Sequence, residues 1–401
     1  MTTTAEKPCR VLIIVENLPV PFDRRVWQEA NTLRDADFHV NIICPTGKGF
    51  EKRYERISDI GIYRFALPFE ANSGAGYLIE YGVALAMQFF LSLKIFAKEG
   101  IDIVHACNPP DTIFLIGLFY KLFGKKFVFD HHDINPELYE AKFGKKGFTH
   151  RMLLLMERLT FRTADISIAT NESYKKIAID RGKMEPDKVF VVRSGPNLDR
   201  VRTVPSNVAL THGKRYLVGY VGVIGQQEGI DLLLASVQYL VQNKKRRDIH
   251  FTIVGGGPYL NEMVELSENL GLGEFVNFTG RISDQELLEI LSTAHVCVNP
   301  DTPNAMNDKS TMNKIMEYMA MGKPIVQFDL TEGRVSAQNA SVYVENTDIR
   351  QFGESILELL EDPERRAMMG EIGRQRVENE LSWNHQAPKL LEAYEMVTRI
   401  S

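Results

Sequence analysis

The sequence predicts an α/β protein built from two Rossmann-like, doubly wound domains in series. Short apolar, β-branched segments alternate with amphipathic segments along the chain, as in folds with a parallel sheet. This alternation stops and then restarts after Pro205. With 401 residues, 44% of them hydrophobic and 25% charged, the chain is long enough to bury two cores.

The first domain is predicted over residues 1–200. Residues 10–16, RVLIIVE, hold a continuous apolar run between Arg10 and Glu16 that is too short for a helix and too apolar for an exposed strand, so we predict a buried parallel strand. A proline-containing loop follows, and then an amphipathic helix over residues 24–35. Further strands are predicted at residues 38–44, 101–106, 126–130 and 164–169.

The second domain is predicted over residues 201–380, after a linker near residues 197–207. Strands are predicted at residues 216–223, 250–254, 275–278, 295–299, 324–328 and 341–344, and helices at residues 229–243 and 261–269. Residues 381–401 have a helical pattern and follow no strand, and we expect this helix to return to the first domain. Ligands of doubly wound folds bind at the carboxyl ends of the strands, so we expect an active site in a cleft that both sheets face.

Composition and charge exclude several classes of protein. Residues 1–203 carry 29 Lys and Arg against 25 Asp and Glu, whereas the remainder carries 18 against 27, so the two domains are expected to meet different surfaces. No long basic run is interleaved with aromatic residues, which argues against nucleic acid as a partner. The four cysteines form neither a CxxC pair nor a metal knuckle, which indicates a reduced compartment without a structural metal. The first residues lack a signal pattern, so a cytoplasmic location is expected.

One apolar segment, residues 76–97, suggests contact with a membrane. Three interpretations stay open at this stage: a helix in the first core, a helix lying partly in a membrane interface, and a helix that spans the bilayer. Basic clusters with aromatic neighbours lie nearby, at Lys121, Lys125, Lys126, Lys142, Lys145, Lys146 and Arg151. Such clusters suit an anionic lipid surface, so we expect peripheral binding to the inner face of the cell membrane.

The strongest chemical motif is DKSTMNKIMEYMAMGKP, residues 308–324. A polar loop leads into a helix that Ser310 or Thr311 can cap, and the free N–H groups of its first turn suit an anion. Lys314 adds a mobile positive charge, and the Glu317 carboxylate can accept two hydrogen bonds from a ribose diol. Without further context the same pattern also describes an ordinary capped amphipathic helix.

This motif resembles the donor-binding signature of glycosyltransferase family 4, in which two glutamates separated by seven residues end in an E-A-M-A-x-G-x-P helix. EYMAMGKP places Glu317 at the ribose-binding glutamate, whereas Lys309 stands where the first glutamate is expected and Asp308 stands beside it. The variant NKIMEYMAMGKP resembles a bacterial subgroup that assembles O-antigen, capsule and other cell-surface polysaccharides, including N-acetylfucosamine-type transferases.

The resemblance implies the GT-B fold and a retaining hexosyl- or N-acetylhexosaminyltransferase. Its donor would be a nucleotide sugar, with a UDP-sugar favoured, and its acceptor a saccharide in lipid-linked form. No cofactor other than the substrate is implied. No DxD-type motif stands at a predicted strand end, so no essential metal is expected.

Similarity to the family extends over nearly the whole chain. FDHHDINPELY carries the family's His-Asp pair at His132 and Asp133, and in relatives this histidine contacts the reacting sugar. The resemblance therefore implies a catalytic set of His132, Asp133, Lys314 and Glu317. The segments NLPVPFDRRVW and HACNPPD, with the histidine before the pair, imply acceptor-binding residues Asp23, Arg24, Asn108 and His131.

The glycine loop of the second domain, GYVGVIGQQEG, departs from the family pattern. Relatives carry an arginine and a lysine that touch the donor diphosphate, but Val223 and Glu228 stand at those positions. Lys309, Lys314 and Arg281 are the candidate replacements. The resemblance implies a donor-binding set of Gly222, Gly225, Gly256, Arg281, Ile282, Asp308, Lys309, Ser310, Thr311 and Asn313.

A second explanation exists for one part of that set. FTGRISDQEL resembles the loop whose backbone recognises the base, which includes Ile282. Ser283 is also a good cap for a helix over residues 284–291, and this local role is sufficient to explain the serine.

Other functions are compatible with parts of the sequence. A nucleotide-sugar epimerase of the same architecture would use His132 and Asp133 as acid and base, and would convert its substrate without an acceptor. A degenerate transferase acting as a membrane-associated scaffold would explain Val223, Glu228 and Lys309, and would bind nucleotide sugars without turnover. A dehydrogenase is disfavoured, because GxGxxG followed by an acidic residue about 20 positions later is missing.

Overall fold

The computed structural model describes residues 8–66 and 74–400 of the chain. The chain divides into two compact units, each with one sheet. The first unit runs to Glu140 and includes Gly144–Arg193 and the residues from Gln386 onward; the second comprises Ala141–Phe143 and Ser194–His385. The prediction of two Rossmann-like, doubly wound α/β domains is confirmed.

Over the residues that the structure describes, the sheet of the first unit has eight strands. They are β1 (Arg10–Ile14), β2 (His39–Pro45), β3 (Tyr54–Ile57), β4 (Ile60–Phe65), β5 (Ile103–Cys107), β6 (Lys126–His131), β7 (Ile166–Ala169) and β8 (Val189–Val191). Their order is β3-β4-β2-β1-β5-β6-β7-β8, and all pairs are parallel except β3 with β4. Strand order reverses direction between β1 and β5, which is where ligands of such sheets bind.

Helices cover this sheet. They are α1 (Arg24–Asp35), α2 (Gly74–Lys98), α3 (Phe114–Lys121), α4 (Asn135–Phe143), α5 (Phe148–Thr163) and α6 (Glu172–Asp180). α1 has the predicted bounds because the Asp23 side chain caps it by accepting a hydrogen bond from the Val26 N–H at 3.1 Å.

The hairpin of β3 and β4 was not predicted from the sequence. Ser58 and Asp59, which join the strands, both adopt positive φ values of 49° and 62°, as a two-residue turn of this kind requires. Neither residue is glycine, so the usual turn signal is missing. Tyr54–Ile57 is also partly exposed and lacks the apolar run that marks the buried strands.

α2 packs one face on the core of the first unit. Ala84, Gln88, Ser92 and Ile95 are fully buried, and their spacing places them on one side of the helix, whereas Phe90 is 69% exposed. The segment 76–97 is therefore helical as predicted. Over the described residues, no helix has both the length and the apolar character that a membrane span requires.

The sheet of the second unit has six parallel strands. They are β9 (Tyr216–Val221), β10 (Ile249–Val254), β11 (Val276–Gly280), β12 (Val296–Asn299), β13 (Ile325–Phe328) and β14 (Ser341–Val344). The order β11-β10-β9-β12-β13-β14 reverses between β9 and β12. All six lie at predicted positions because buried parallel strands are apolar on both faces.

The helices of the second unit are α7 (Ile230–Gln238), α8 (Leu260–Asn269), α9 (Asp284–Thr293), α10 (Asn313–Ala320), α11 (Thr331–Ala337), α12 (Ile349–Glu361) and α13 (Pro363–Arg376). A wide turn, Tyr239–Asn243, continues α7. Ser283 and Glu286 form a capping box on α9, which confirms the predicted cap. The last helix, α14 (Trp383–Arg399), contributes the residues from Gln386 onward to the first unit.

Candidate active site

In the second unit, glycine loops at the carboxyl ends of β9 and β10 lie against each other. The Gly222 N–H donates to the Val254 carbonyl at 3.0 Å. Gly255 has φ +139°, and a Cβ atom there would lie 1.7 Å from the Gly222 carbonyl oxygen. Only glycine permits this approach, so the loops form a surface of backbone at the reversal point between β9 and β12.

Lys314 and Asp301 form a buried ion pair beside these loops. The Lys314 Nζ donates to both carboxylate oxygens, at 2.9 and 3.0 Å, and lies 4.8 Å from the centre of the Tyr220 ring. Asp301 is 1% exposed, and its burial raises the pKa of the carboxyl although Lys314 opposes this. The prediction that Lys314 supplies a mobile charge is therefore wrong, because Asp301 already fixes and neutralises it.

Glu228 adds a second carboxylate next to this pair. The pKa of Glu228 is raised, because its burial and the neighbouring Asp301 outweigh the opposing effect of Lys314. Its Oε2 atom is buried, has no hydrogen-bond partner in the described part of the chain, and would lie 2.6 Å from a Cβ at Gly225. This glycine therefore makes room for the glutamate. A second carboxylate therefore lies near the Lys314–Asp301 pair, where relatives are expected to hold cations for a diphosphate.

Glu317 is held by an arginine that the sequence did not single out. Its Oε1 atom accepts from Arg200 Nη2 at 2.6 Å, and Arg200 Nη1 lies 3.6 Å from Asp284. The Glu317 side chain on α10 is 17% exposed. This geometry suits an acceptor of hydrogen bonds that is kept oriented by its arginine.

The loop before α10 is tied down by its own polar residues. Asp308 Oδ1 accepts from the Thr331 N–H at 2.8 Å, at the start of α11. The Ser310 hydroxyl donates to the Met306 carbonyl at 2.8 Å. Met312 occupies the N-cap position of α10 without a side-chain cap, so the prediction that Ser310 or Thr311 caps this helix is wrong.

The other predicted donor-binding residues lie on the same edge. Arg281 is exposed and its Cγ lies 3.5 Å from where a Cβ on Gly256 would be. Asn313 is exposed at the first position of α10, and Lys309, Thr311 and Ile282 are half-buried in the loops. The second unit therefore brings this set together at the carboxyl edge of its sheet.

In the first unit, Arg25 forms a buried ion pair with Asp130. Arg25 Nη2 lies 2.9 Å from Asp130 Oδ1, and Arg25 Nε lies 3.0 Å from Glu29 Oε1. Burial opposes ionisation of Asp130, but Arg25 and hydrogen bonds from two histidines outweigh it and hold its pKa well below the ordinary value. Burial and the Asp130 charge raise the pKa of Glu29 well above its ordinary value. Asp130 is therefore the ionised member.

Both histidines contact the same oxygen of Asp130. His132 Nε2 lies 2.5 Å from Asp130 Oδ2, and His105 Nε2 lies 3.3 Å from it. His105 Nδ1 lies 2.8 Å from the hydroxyl of Tyr394 on α14. Burial lowers the pKa of His105, so this ring is neutral. A continuous buried chain thus leads from the terminal helix to His132, which is 15% exposed.

Part of this cluster has the composition of a metal site. Atoms of Glu29, His105, Cys107 and Asp130 lie within 4.8 Å of one another, and all four residues are buried. The guanidinium of Arg25 already binds both carboxylates, and a cation added beside it would face a buried like charge. We therefore interpret the cluster as an ion-pair network.

Asn108 holds the loop that carries the His-Asp pair. Its Oδ1 atom accepts from the backbone N–H groups of His132 and Asp133, at 2.7 and 3.1 Å. Its Nδ2 donates to Asp111 Oδ1 at 2.8 Å and to the Asp133 carbonyl at 2.6 Å. Asn108 is 2% exposed, so its role in this structure is to fix the loop. Asp23 likewise serves as the cap of α1, with Arg24 half-buried beside it.

The structure corrects the prediction for His131. This residue is fully buried and packs against the rings of Phe129, Phe161 and Tyr174, with centroids 5.0 to 5.3 Å away. Burial lowers its pKa to about 3, so the ring is neutral. His131 is therefore a core residue and not part of a binding site for the saccharide acceptor.

Several residues of the two clusters were missed by sequence reasoning. Asp130 ends a predicted strand, and Asp301 lies two residues beyond another. A charged residue at the end of an apolar strand is the signal that could have found both. Arg25 and Glu29 are spaced i, i+4 on α1, which in sequence looks like an ordinary surface pair.

The apolar surface of the first unit is centred on α2 and α3. An open groove of about 370 Å³ is lined by Gly82, Leu85, Ala86, Phe89, Leu115, Ile116 and Phe119. Next to α3, Leu122 is 84% exposed and Phe123 is 53% exposed. The nearby lysines are partly neutralised, because Lys121, Lys125 and Lys146 form ion pairs with Asp165, Asp102 and Glu140.

Comparison with known families gives two matches that cover most of the chain. Residues 23–200 match the model described as Glycosyltransferase Family 4, and residues 215–362 match the model described as Glycosyl transferases group 1. Each match falls largely within one of the two units.

Curated relatives align over part of their length. A GDP-mannose-dependent monoacylated alpha-(1-6)-phosphatidylinositol monomannoside mannosyltransferase of Corynebacterium glutamicum is 29% identical over 167 residues, 41% of this chain and 43% of the relative. The capsular polysaccharide biosynthesis glycosyltransferase CapM of Staphylococcus aureus is 25% identical over 247 residues, 59% of this chain and 63% of the relative. The chain spans about half the length of the first curated relatives it matches.

Among solved structures, a sucrose-phosphate synthase from Thermosynechococcus elongatus aligns with 98% of this chain and 100% of its own. The TM-score is 0.78 and the sequence identity is 19%. This likeness concerns the fold, and it agrees with the two-domain GT-B fold that the sequence predicts.

Proposed function

We propose that the chain is a retaining glycosyltransferase that moves a sugar from a nucleotide-sugar donor to a saccharide acceptor. The observation that carries this proposal is the carboxyl edge of the second sheet. There, backbone-rich glycine loops, the start of α10 and the Arg200-oriented Glu317 lie together at the reversal of strand order. Matches of both halves of the chain to glycosyltransferase families support the same function.

The donor would bind through three kinds of contact. Glu317 would accept hydrogen bonds from the ribose hydroxyls, with Arg200 keeping the carboxylate oriented. Backbone N–H groups of the glycine loops and of the first turn of α10 would bind the diphosphate. Lys309 and Arg281 would add charge, since Lys314 is already paired with Asp301.

In the reaction, the bond between the anomeric carbon and the diphosphate oxygen breaks. A bond from the acceptor oxygen to the same face of that carbon forms, and the acceptor proton passes to the departing diphosphate. The protein contributes positioning and stabilisation of charge. We expect no essential metal, because the buried carboxylate of Asp301 is committed to Lys314.

The finer specificity remains part of the proposal. A UDP-sugar is our first expectation for the donor, and GDP-mannose, the donor in the name of the Corynebacterium glutamicum relative, is its rival. We propose a lipid-linked acceptor in cell-surface polysaccharide synthesis, reached by peripheral binding of the first unit to an anionic membrane at the cytoplasmic side. The exposed Leu122 and Phe123 beside the α2–α3 groove support this attachment.

The first experiment is a thermal-shift panel of UDP, GDP, ADP and their sugars, with and without EDTA. A ligand that binds only the folded protein raises its melting temperature, so the panel identifies the base. Turnover with saccharide acceptors then follows, with the anomeric configuration of the product read by NMR. Inversion would refute the mechanism. Conversion of the donor without an acceptor would indicate an epimerase, and binding without any turnover a scaffold.

A further inference from the structure

We infer that Asp130 is a positioning residue, which fixes the proton of His132 on Nε2 and leaves the lone pair of Nδ1 for a hydroxyl of the bound sugar. The inference rests on the proposed function, since that function gives His132 its partner. It begins from the 2.5 Å contact between His132 Nε2 and Asp130 Oδ2.

Two arrangements of the proton are chemically possible at this contact. Arg25 Nε lies 3.0 Å from His132 Nε2, so in one arrangement Arg25 donates to a bare nitrogen. That arrangement would also place the nitrogen lone pair against the carboxylate lone pair of Asp130. Because Arg25 holds the pKa of Asp130 well below its ordinary value, the carboxylate carries no proton that could relieve the repulsion.

The remaining arrangement places the proton between His132 Nε2 and Asp130 Oδ2. The Arg25 Nε proton then goes to Asp130 Oδ2 at 3.3 Å or to Glu29 Oε1 at 3.0 Å. Both N–H groups at this contact, that of Arg25 Nε and that of His132 Nε2, keep an acceptor in this scheme. Buried polar groups are normally paired in this way, because an unpaired one costs about 1–3 kcal/mol.

The other charged groups of the cluster balance without a charge on His132. Arg25 and Asp130 cancel, Glu29 is uncharged because its pKa is raised well above normal, and burial keeps His105 neutral. In a neutral ring with Nε2–H, Nδ1 is a hydrogen-bond acceptor.

His132 Nδ1 is the atom left for a ligand. The ring contacts Asp130 and Arg25 through Nε2, and within the described residues no group bonds Nδ1. The backbone N–H of His132 is held at 2.7 Å by Asn108, which fixes the position from which the ring projects. The side chain is 15% exposed, whereas Asp130 is fully buried. Asp130 therefore acts through His132 and does not itself touch the substrate.

The direct test is the tautomer of His132 by NMR of histidine-labelled, full-length protein. His132→Gln identifies the resonance among the nine histidines. We expect wild-type protein to carry the proton on Nε2 alone, and Asp130→Asn to show a mixture of tautomers. A proton on Nδ1 in the wild type, or an unchanged tautomer in Asp130→Asn, would overturn the inference. Tyr394→Phe is the control, since it removes a hydroxyl from the far end of the chain and should leave the tautomer as it is.

A kinetic cycle tests the same role independently of the spectrum. Misplacement of a ring by about 1 Å costs about 100-fold, so Asp130→Asn should lower kcat by that order with KM for the donor nearly unchanged. The double variant with His132→Gln should be no slower than His132→Gln alone. Additive losses would show that Asp130 acts without His132. Asp130→Glu, which keeps a carboxylate, should restore part of the rate and serves if Asp130→Asn does not fold.

The two proposals fail in different ways. If the tautomer is as expected but His132→Gln turns over at the wild-type rate, the positioning by Asp130 stands and the role of His132 in transfer does not. If no nucleotide sugar is turned over at all, the tautomer still decides the inference.

Discussion

Lys314 donates to both carboxylate oxygens of Asp301, so that the first turn of α10 is joined to the loop after β12. The pair is buried, with 11% of the lysine side chain and 2% of the aspartate side chain exposed. It stands at the place where the donor diphosphate is expected. The pair therefore has consequences for stability as well as for catalysis.

Removing one partner of this pair should destabilise the protein. Lys314→Ala leaves Asp301 buried and unpaired, and the loss of a partner in such a pair costs about 3–5 kcal/mol of unfolding free energy. The double variant Lys314→Met with Asp301→Asn should recover much of that loss, because no unpaired charge remains. Urea denaturation of the wild type, of Lys314→Met, of Asp301→Asn and of the double variant measures the coupling. Purely additive losses would mean that the pair is not formed in solution.

Lys309 should matter for turnover without affecting folding. The side chain is half-buried in the loop before α10, and Lys314 is neutralised, so Lys309 is a candidate for direct contact with the leaving diphosphate. Lys309→Ala is expected to lower kcat about 10²-fold, and Lys314→Ala is expected to lower it less, because Lys314 is already paired with Asp301. Steady-state kinetics check this. Lys323→Ala is not a suitable control, because Lys323 Nζ donates to the backbone carbonyls of Ser292 and Ala294 and so stabilises the fold. Normal rates in both variants would redirect attention to Arg281.

Glu317→Gln should weaken binding of the nucleotide sugar. A neutral amide replaces only part of a charge-assisted pair of hydrogen bonds, so we expect a loss of about 1.5–3 kcal/mol in calorimetry. Arg200→Gln is the matched control, since it releases the carboxylate without removing it. A smaller loss is expected for that variant. Wild-type affinity in Glu317→Gln would remove this residue from the donor site.

The acid stability of the protein should depend on His131. Its folded pKa is lowered to about 3 from an ordinary 6.5 by burial, so the unfolded state binds more protons between these values. Stability is therefore lost as the pH falls through this window, by up to about 5 kcal/mol at its acid end. His131→Phe should flatten the pH dependence of the unfolding free energy, whereas His150→Phe, on a half-exposed ring, should not. An unchanged acid limb in His131→Phe would contradict the assignment.

Binding to anionic vesicles should depend more on apolar side chains than on the lysine clusters. Leu122→Glu is expected to reduce co-sedimentation with phosphatidylglycerol vesicles, and Val208→Glu, at a residue 75% exposed in the second unit, serves as the matched control. Each unpaired basic residue near the surface contributes about 1 kcal/mol, so binding should still fall as salt rises. Changing Lys125, Lys126, Lys145 and Lys146 to Glu should act mainly through Lys126 and Lys145, because the other two are ion-paired. Equal loss in Leu122→Glu and Val208→Glu would argue against a defined membrane face.

The outline of the fold could be read from local patterns. Buried parallel strands appear as short apolar runs because both faces are covered, and all six strands of the second sheet were placed in this way. The helix over residues 24–35 and the cap at Ser283 also depend only on near neighbours. The β3–β4 hairpin was not predicted, because its turn lacks glycine and β3 is partly exposed.

By itself, then, the sequence determined the two doubly wound domains, the helix that presents Glu317 and the loop that presents His132. Only the tertiary structure decided how these side chains are used. Arg200 meets Glu317 across 117 residues of chain, and Arg25 meets Asp130 across 105. Periodicity and caps report on residues within one or two turns of each other, whereas these ion pairs depend on which strands become neighbours. The charge of each candidate site was therefore set by partners that no local pattern contains.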